Sequence, residues 1–549
     1  MKKLVVVTAA IGLTLTGVGP AVAAGGSATP TPAPAGESAQ AVAAGIAWTP
    51  CPDNDPIEGT KLQGLECGTL RVPLDYAHPH GRQITLALTR AKATDTRHYQ
   101  GVVLLNRGGP GGHGRDLPTR FAKGTYGLPT SVGATYDWIG FDPRAVGASS
   151  IDGTGKGIIC DPSFQAPGKA RPDYTPGSKA EELAWRAKAK KYAQDCGRRY
   201  GSALKYQTSA NWARDMDSIR KALGQHKISY YGYSYGTYLG SVYASLFPTH
   251  VRRMVLDSVV RPSGVWYDVN LDQDVAFQKR FEIFLTWIAK YDAVYHLGAT
   301  HAAVKANYYK IRAALAKDPI NGQLGPDELD DTVQADAYRD YTWLDHAQAL
   351  SDYFVKHDPQ PLLDQWGGFP TDDFLTQNSY AVYDAVQCVD RQWPTNWKKW
   401  DHDNWQLYRQ GNTFLTWGNV WYNAPCAYWP VPGGTPVKIQ GKKGLPPILI
   451  VQATNDAATP YAGAVEVHKR FPNSRLLVEN GGINHGVALT PNGDTCANTL
   501  VSAYLGWGAL PPNKPGVDAR CQAPALPVPG ATAAKATSAN ADAAAIGEH

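Results

Sequence analysis

Residues 227–240, KISYYGYSYGTYLG, constrain the fold more than any other stretch of the chain. A β-favouring run at 228–231 leads into GYSYG at 232–236, and small apolar residues that suit a helix follow. A serine between two glycines at a strand-to-helix turn is typical of a nucleophile elbow, where the glycines let the two elements approach and the strained serine is exposed. Because the same pattern also occurs in ordinary turns, assigning Ser234 as a nucleophile depends on the rest of the chain.

Charge and the N-terminal sequence limit the class of protein. The 549 residues carry a formal net charge of +5 without a Lys/Arg run, which argues against nucleic acid and anionic membranes as partners. Residues 1–24 combine Lys2-Lys3, an apolar run and Ala21-Val22-Ala23, as a cleaved signal peptide does. Since no other stretch is long and apolar enough to cross a bilayer, we expect a secreted protein with no membrane partner.

The chain has eight cysteines, and an even number fits a disulfide framework in an exported protein. Pairing neighbours in the sequence is our prediction, although sequence alone does not choose among the possible pairings. Zinc is the competing interpretation, but no C-x-x-C motif occurs and histidines do not cluster beside the cysteines. We therefore expect no metal. The predicted pairs are Cys51/Cys67, Cys160/Cys196, Cys388/Cys426 and Cys496/Cys521.

Strand-like and helix-like segments alternate on both sides of the elbow. Their order predicts an α/β fold with a mostly parallel sheet and helices on both faces. Ser209 is a candidate N-cap for the helix that precedes the elbow. The predicted strands are 70–74, 84–89, 101–105, 136–141, 254–260, 447–451 and 475–478, and the clearest helices are 181–200 and 211–223.

The composition and pattern of the sequence change after residue 260. Strand-like runs disappear, and helical stretches rich in Trp, Tyr and Asp take their place until about residue 443. We interpret this block as a helical cap inserted into the sheet domain, and the Ala- and Pro-rich ends as disordered. The predicted division is 1–24 signal peptide, 25–45 disordered pro-segment or spacer, 46–260 first part of the core, 261–443 cap, 444–523 second part of the core and 524–549 disordered tail.

Two polar loops follow the late strand-like runs and offer the partners that a nucleophilic serine needs. Asp456 lies just after PILIV, and His485 follows RLLV in the sequence RLLVENGGINHG. Alone, Asp456 could be a turn or cap residue and His485 a surface histidine. In α/β-hydrolases, however, the acid and then the histidine follow the serine on such loops, so the order predicts a triad of Ser234, Asp456 and His485.

The oxyanion hole is predicted from a glycine-rich loop, RGGPG at 107–111, which follows a buried strand. Backbone N–H groups are needed to stabilise the charge that develops on the substrate oxygen. We predict Gly109 and Tyr235, the residue after the nucleophile, as the two donors. A phosphate-binding loop is the alternative, but neither G-x-x-x-x-G-K-[ST] nor G-x-G-x-x-G is present.

Several segments carry a family resemblance when they are taken together. RGGPGG, DPRAVGAS, SYYGYSYGTYLGSVYASLFP, VRRMVLDSVVRP, NDAATP and NHG occur in this order across about 48–525. They resemble the secreted bacterial tripeptidyl aminopeptidases, serine peptidases in the prolyl-aminopeptidase-like branch of the α/β-hydrolases. The resemblance implies the α/β-hydrolase fold, the same triad and no cofactor. Two positions depart from the family pattern: His113, where a small residue is common, and Asn484, where glycine is usual.

The resemblance also implies the substrate: peptide or protein N-termini, from which a short peptide, typically a tripeptide, is released. Such an enzyme needs a carboxylate to hold the substrate ammonium, and Asp390 is one candidate among the many acids of the cap. A carboxylesterase or small amide hydrolase with the same triad is the main alternative. A non-catalytic binding protein on a hydrolase scaffold is a second one. The sequence does not indicate the oligomeric state.

Overall fold

A computed structural model describes residues 45–369, 373–491 and 493–530. The predicted signal peptide, the spacer up to residue 44 and the tail from residue 531 lie outside the described residues. The described strands are β1 Thr49–Pro50, β2 Glu66–Pro73, β3 Gln83–Ala91, β4 Val102–Asn106, β5 Asp137–Phe141, β6 Ile228–Tyr233, β7 Val251–Asp257, β8 Leu449–Ala453, β9 Arg475–Asn480 and β10 Ala519–Gln522.

The strands form one sheet in the order β1-β2-β3-β5-β4-β6-β7-β8-β9-β10. The first three pairs in this order, β1-β2, β2-β3 and β3-β5, are antiparallel. All the following pairs, from β5-β4 to β9-β10, are parallel. Every residue of β4, β6 and β8 is buried. Parallel strands covered on both faces read as continuous apolar runs, which explains why GVVLL and PILIV were recognisable as strands.

Helices cover both faces of the sheet. One apolar cluster joins the sheet to α4, α5 and α15, and another joins it to α1, α2 and α16. The predicted α/β fold with a mostly parallel sheet is thus confirmed. The helices are α1 Pro118–Ala122, α2 Thr130–Gly133, α3 Lys179–Tyr200, α4 Ser209–Ala222, α5 Tyr235–Leu246, α6 Tyr267–Lys290, α7 Asp292–Tyr295, α8 His301–Lys317, α9 Pro326–Tyr338, α10 Trp343–Lys356, α11 Gln360–Trp366, α12 Phe374–Asp390, α13 Trp397–Arg409, α14 Thr416–Asn423, α15 Ala462–Arg470 and α16 Thr495–Trp507.

The chain between β7 and β8 is helical, from α6 to α14. Helices α6 to α11 share a second apolar cluster, which also contains Ala457, Ala458 and Ile483 of the loops after β8 and β9. Helices α12 to α14 instead pack in the cluster that contains the sheet and α3, through stacked rings such as Trp185 on Trp421. None of the helices within the described ranges is long and apolar enough to cross a membrane.

Four disulfides reinforce this arrangement, and they join the neighbouring pairs that the cysteine order favours. One disulfide joins the segment before α3 to α3 itself, and another joins α12 to the residues after α14. A third connects α16 to the edge strand β10. The bonds are Cys51–Cys67, Cys160–Cys196, Cys388–Cys426 and Cys496–Cys521.

Candidate active site

Ser234 lies in a strained turn between β6 and α5, with φ 55° and ψ −128°. A Cβ atom added at Gly232 would lie 2.6 Å from the carbonyl oxygen of Gly236. One added at Gly236 would lie 2.8 Å from the carbonyl oxygen of Asn106 at the end of β4. Real Cβ atoms do not approach so closely, so the two glycines of GYSYG are required by the local packing, as expected for a nucleophile elbow.

The glycine-rich loop after β4 contacts this elbow. Gly108 has φ 102°, and a Cβ atom there would lie 2.8 Å from the Cβ of Ser234 and 3.0 Å from the nitrogen of Tyr235. Gly108 N–H donates to Asn106 Oδ1 at 3.1 Å, so it is used inside the loop. The next N–H, that of Gly109, is left as the candidate donor of this loop, and the pair of Gly109 and Tyr235 stays a prediction.

Asp456 and His485 form a buried pair. His485 Nδ1 lies 3.0 Å from Asp456 Oδ1 and 2.9 Å from Oδ2. Thr459 donates both its N–H and its hydroxyl to the same carboxylate, each at 2.9 Å. Burial alone would raise the pKa of Asp456, but His485 and Thr459 outweigh that effect, and the pKa lies below its ordinary value. An ionised Asp456 thus fixes the imidazole through Nδ1, while His485 Nε2 has no hydrogen-bond partner among the described residues.

Asp257, at the end of β7, connects the serine and histidine segments. Its carbonyl oxygen accepts the N–H of Ser234 at 3.1 Å. Its carboxylate accepts the N–H groups of Val487 and Ala488 at 2.9 and 2.8 Å, just after His485. Burial raises the pKa of Asp257 to about 6, although these N–H groups act in the opposite direction. Sequence reasoning missed this residue, because MVLDSVV was interpreted only as a strand.

The end of α9 packs against the histidine loop from the cap side. His485 N–H donates to the carbonyl oxygen of Tyr338 at 2.8 Å, and the two rings meet edge-to-face at 5.7 Å. Asp340 N–H donates to Asn484 Oδ1 at 3.0 Å. The departure from the family pattern at Asn484 therefore provides a contact between the cap and the loop that carries His485.

The other departure, His113, belongs to a buried ionic cluster behind the glycine-rich loop. His113 Nδ1 lies 2.6 Å from Glu58 Oε1, and both side chains are almost completely buried. Asp116 is close enough to these two groups for the three to hold a metal ion, but it already pairs with Arg107 and Arg120. The arginines supply the positive charge that a cation would bring, so the cluster fits a structural role.

Asp390, predicted as a possible site for the substrate ammonium, has its oxygens engaged within the chain. Ser209 N–H donates to Oδ1 at 2.7 Å, and the Ser209 hydroxyl donates to Oδ2. Burial raises the pKa of Asp390 to about 6.

The prediction of Ser209 as N-cap of α4 is wrong: Thr208 caps the helix by accepting the N–H of Asn211. Ser209 thus links Asp390 to the start of α4 and, through a 2.7 Å contact with the Tyr235 hydroxyl, to the residue after Ser234.

Comparisons with known proteins identify the family of this chain. A family model described as TAP-like protein matches residues 412–521. The tripeptidyl aminopeptidase of Streptomyces coelicolor is 45% identical over 503 residues, covering 90% of this chain and 88% of that protein. In Mycobacterium tuberculosis, serine protease Hip1 is 31% identical over 500 residues (85% and 90%), and carboxylesterase B is 32% identical over 490 residues (86% and 90%). The chain belongs to the tripeptidyl aminopeptidase family, a group of α/β-hydrolase serine peptidases.

Proposed function

We propose that this protein is a secreted serine exopeptidase that releases tripeptides from free N-termini of peptides or proteins. The observation that carries the proposal is the buried Asp456–His485 pair, whose Nε2 is unpartnered, in a chain with the serine elbow of this family. The substrate class rests on the 45% identity to a tripeptidyl aminopeptidase across 90% of the chain. Secretion is supported by the signal-like residues 1–24 and by four disulfides, which persist in oxidising compartments.

The proposed mechanism has two stages. Ser234 Oγ attacks the scissile carbonyl carbon while His485 Nε2 takes the hydroxyl proton, and Asp456 stabilises the imidazolium. The N–H groups of Gly109 and Tyr235 hydrogen-bond the tetrahedral oxyanion. His485 then gives the proton to the leaving amine, which departs as the shortened peptide. In the second stage His485 activates a water that hydrolyses the acyl-enzyme and releases the N-terminal tripeptide.

A carboxylesterase is the second candidate function, because carboxylesterase B is a relative at 32% identity. Both activities use the same triad, and they differ in whether a free amine is recognised. Kinetics with three substrates separate them: an Ala-Pro-Ala anilide with a free amine, its N-acetyl form and a short acyl nitrophenyl ester. An exopeptidase should hydrolyse the first and lose most of that activity on the second. Comparable rates on free and blocked peptides, together with faster ester cleavage, would favour the esterase.

The triad itself is tested with Ser234→Ala. The variant should lower kcat on the free tripeptide anilide by about 10⁵-fold and abolish labelling by a fluorophosphonate, because no other group can form the acyl-enzyme. Ser241→Ala is a matched control, since Ser241 is a buried serine of α5 whose hydroxyl donates only to the carbonyl of Thr237 within the same helix. Full hydrolytic activity in the Ser234 variant would disprove the mechanism.

A further inference from the structure

Buried polar side chains of α6 and α14 meet in the interior of the cap. Asn270, Asp274 and Asn419 are each 1% exposed. Asn419 Nδ2 donates to Asp274 Oδ1. Within the described residues, Asp274 Oδ2, Asn419 Oδ1 and both side-chain polar atoms of Asn270 have no hydrogen-bond partner. Leaving such groups buried and unpaired is costly, so an arrangement of this kind calls for a ligand.

Three of the unpaired atoms are acceptors suited to a cation: Asp274 Oδ2, Asn419 Oδ1 and Asn270 Oδ1. Asn419 uses its amide nitrogen on Asp274, which leaves its Oδ1 as an acceptor. Burial raises the pKa of the Asp274 carboxyl well above its ordinary value, and the only opposing influence is the Asn419 hydrogen bond. An incoming positive charge would therefore stabilise the carboxylate form of Asp274. A primary ammonium has three N–H donors and matches a carboxylate oxygen flanked by amide oxygens.

Helix α6 carries Asn270 and Asp274 between two ring contacts that lead toward the proposed catalytic residues. At its start, the Trp266 ring packs 5.8 Å from the ring of Tyr235, beside the serine. Further along, Phe277 contacts Tyr338 at 5.0 Å, and Tyr338 contacts His485 at 5.7 Å. Asp274 lies between these points and shares a helix face with Phe277, three residues later.

The same helix provides a length scale. Asp274 follows Trp266 by eight residues, which corresponds to about 12 Å along the helix axis. An extended tripeptide spans about 10 Å. The two lengths match, so a peptide that lies along α6 from the Trp266 end reaches the level of Asp274 with three residues.

We propose that Asp274, with the amide oxygens of Asn419 and Asn270, binds the free N-terminal ammonium of the substrate and so sets the length of the peptide released. This inference rests on the proposed exopeptidase function and identifies its specificity-determining residue. A blocked N-terminus brings an amide in place of the ammonium, and a shorter or longer substrate places its charge elsewhere. In both cases the buried acceptors of Asp274, Asn419 and Asn270 stay without the N–H donors of an ammonium, which penalises the wrong substrate.

Asp384 of α12 provides a matched comparison. It is also fully buried, and both of its carboxylate oxygens lack a hydrogen-bond partner in the described part of the chain. Its carboxylate, however, lies within 4.8 Å of the sulfur atoms of Cys388 and Cys426, and burial raises its pKa well above the ordinary value. Beside the sulfur atoms of a disulfide, Asp384 fits a protonated core acid better than a cation site.

The test compares Asp274→Asn with Asp384→Asn. For Asp274→Asn we expect kcat/KM on the free Ala-Pro-Ala anilide to fall about 100-fold, because a buried charge pair loses one partner. The ratio of free to N-acetyl substrate should fall toward one, while fluorophosphonate labelling of Ser234 shows that the variant is folded. Asp384→Asn should keep the wild-type ratio. Retention of the ratio in Asp274→Asn, or its loss in Asp384→Asn, would overturn the assignment.

Two further measurements complete the design. If Asp274→Asn fails to fold, shown by lost fluorophosphonate labelling, Asn419→Ala tests the same site and should lower the ratio about tenfold. An unchanged ratio there would overturn the assignment.

Among dipeptide, tripeptide and tetrapeptide anilides, the wild type should prefer the tripeptide and Asp274→Asn should lose this preference. A wild type that does not distinguish free from blocked substrates would overturn the exopeptidase function itself, whereas normal wild-type discrimination that survives in Asp274→Asn overturns only the ammonium site.

Discussion

At the scale of single residues, Asp257 holds the serine and histidine segments in register. We predict that Asp257→Asn lowers kcat on the tripeptide anilide about 100-fold with little change in KM, because an amide has one acceptor oxygen for the two N–H groups of Val487 and Ala488. The introduced NH₂ would also face one of these donors. Steady-state kinetics measure the split between kcat and KM, and an equal loss of affinity for substrate would contradict a positioning role.

A suitable control is Asp494→Asn, since Asp494 caps α16 through Cys496 N–H on the other side of the same loop. This variant should lower the melting temperature slightly and leave kcat within about twofold of wild type, because an asparagine caps a helix about as well as an aspartate. A loss of kcat in the control that equals the loss in Asp257→Asn would show that any disturbance of the loop has the same effect.

Residues with a local signature could be predicted from the sequence, and residues defined by distant partners could not. Ser234 has glycines on both sides, and His485 follows a strand, so both were recognisable. Asp257 gains its role from backbone groups 230 residues later in the chain. Asp274 is one of several buried acids of the cap, and its contact with Asn419, 145 residues later, is encoded by no local pattern. The misassigned Ser209 has the same origin, since its partner Asp390 lies 181 residues away.

At the scale of elements, the end of α9 fixes the loop that carries His485. We predict that Asn484→Gly lowers kcat/KM on the tripeptide anilide about tenfold, because it removes the hydrogen bond to Asp340 N–H and adds backbone freedom to a loop that already contains glycines. Hydrogen exchange of the His485 amide, which is bonded to Tyr338, should accelerate in the same variant.

Asn473→Gly, in the exposed turn before β9, is the control for added glycine freedom away from the cap. It should leave both kcat/KM and the exchange of the His485 amide unchanged. If Asn484→Gly retains wild-type kinetics and exchange, the contact between the cap and the loop has no part in positioning the histidine.

The elements of the sheet were easier to predict than those of the cap. Fully buried strands such as β4 and β8 appear as apolar runs, and their predicted limits differ from the observed ones by one or two residues. The cap was interpreted as a single block, yet α12 to α14 pack in the same apolar cluster as the sheet. Stacking of Trp421 on Trp185 and on Trp397 creates this connection, and such ring contacts leave no periodic signal that distinguishes one packing partner from another.

At the scale of the whole molecule, the C-terminal segment links the sheet to the cap. After β10, Ala523 N–H donates to the carbonyl of Asn480, and the indole N–H of Trp287 in α6 donates to the carbonyl of Pro527 at 2.8 Å. Pro527, which lies in the predicted disordered tail of residues 524–549, therefore contacts α6. A composition rich in Ala and Pro predicts a lack of core, but it does not exclude docking of the backbone on a neighbouring helix.

The pH dependence of stability provides the last prediction. Burial, together with nearby acids that include Asp494 and Asp257, raises the pKa of Glu479 to about 8 from an ordinary value of 4.5. Between these two pH values the unfolded chain has released the proton that the folded protein keeps, so stability falls as the pH rises.

Glu479→Gln copies the protonated form and removes this loss. Its melting temperature should match that of wild type near pH 4.5 and exceed it by a few degrees at pH 8. The control is Glu466→Gln, on the partly exposed side of α15, whose melting temperature should differ from that of wild type by the same amount at both pH values. A Glu479→Gln curve that runs parallel to wild type over this range would show that Glu479 is ionised in the folded protein.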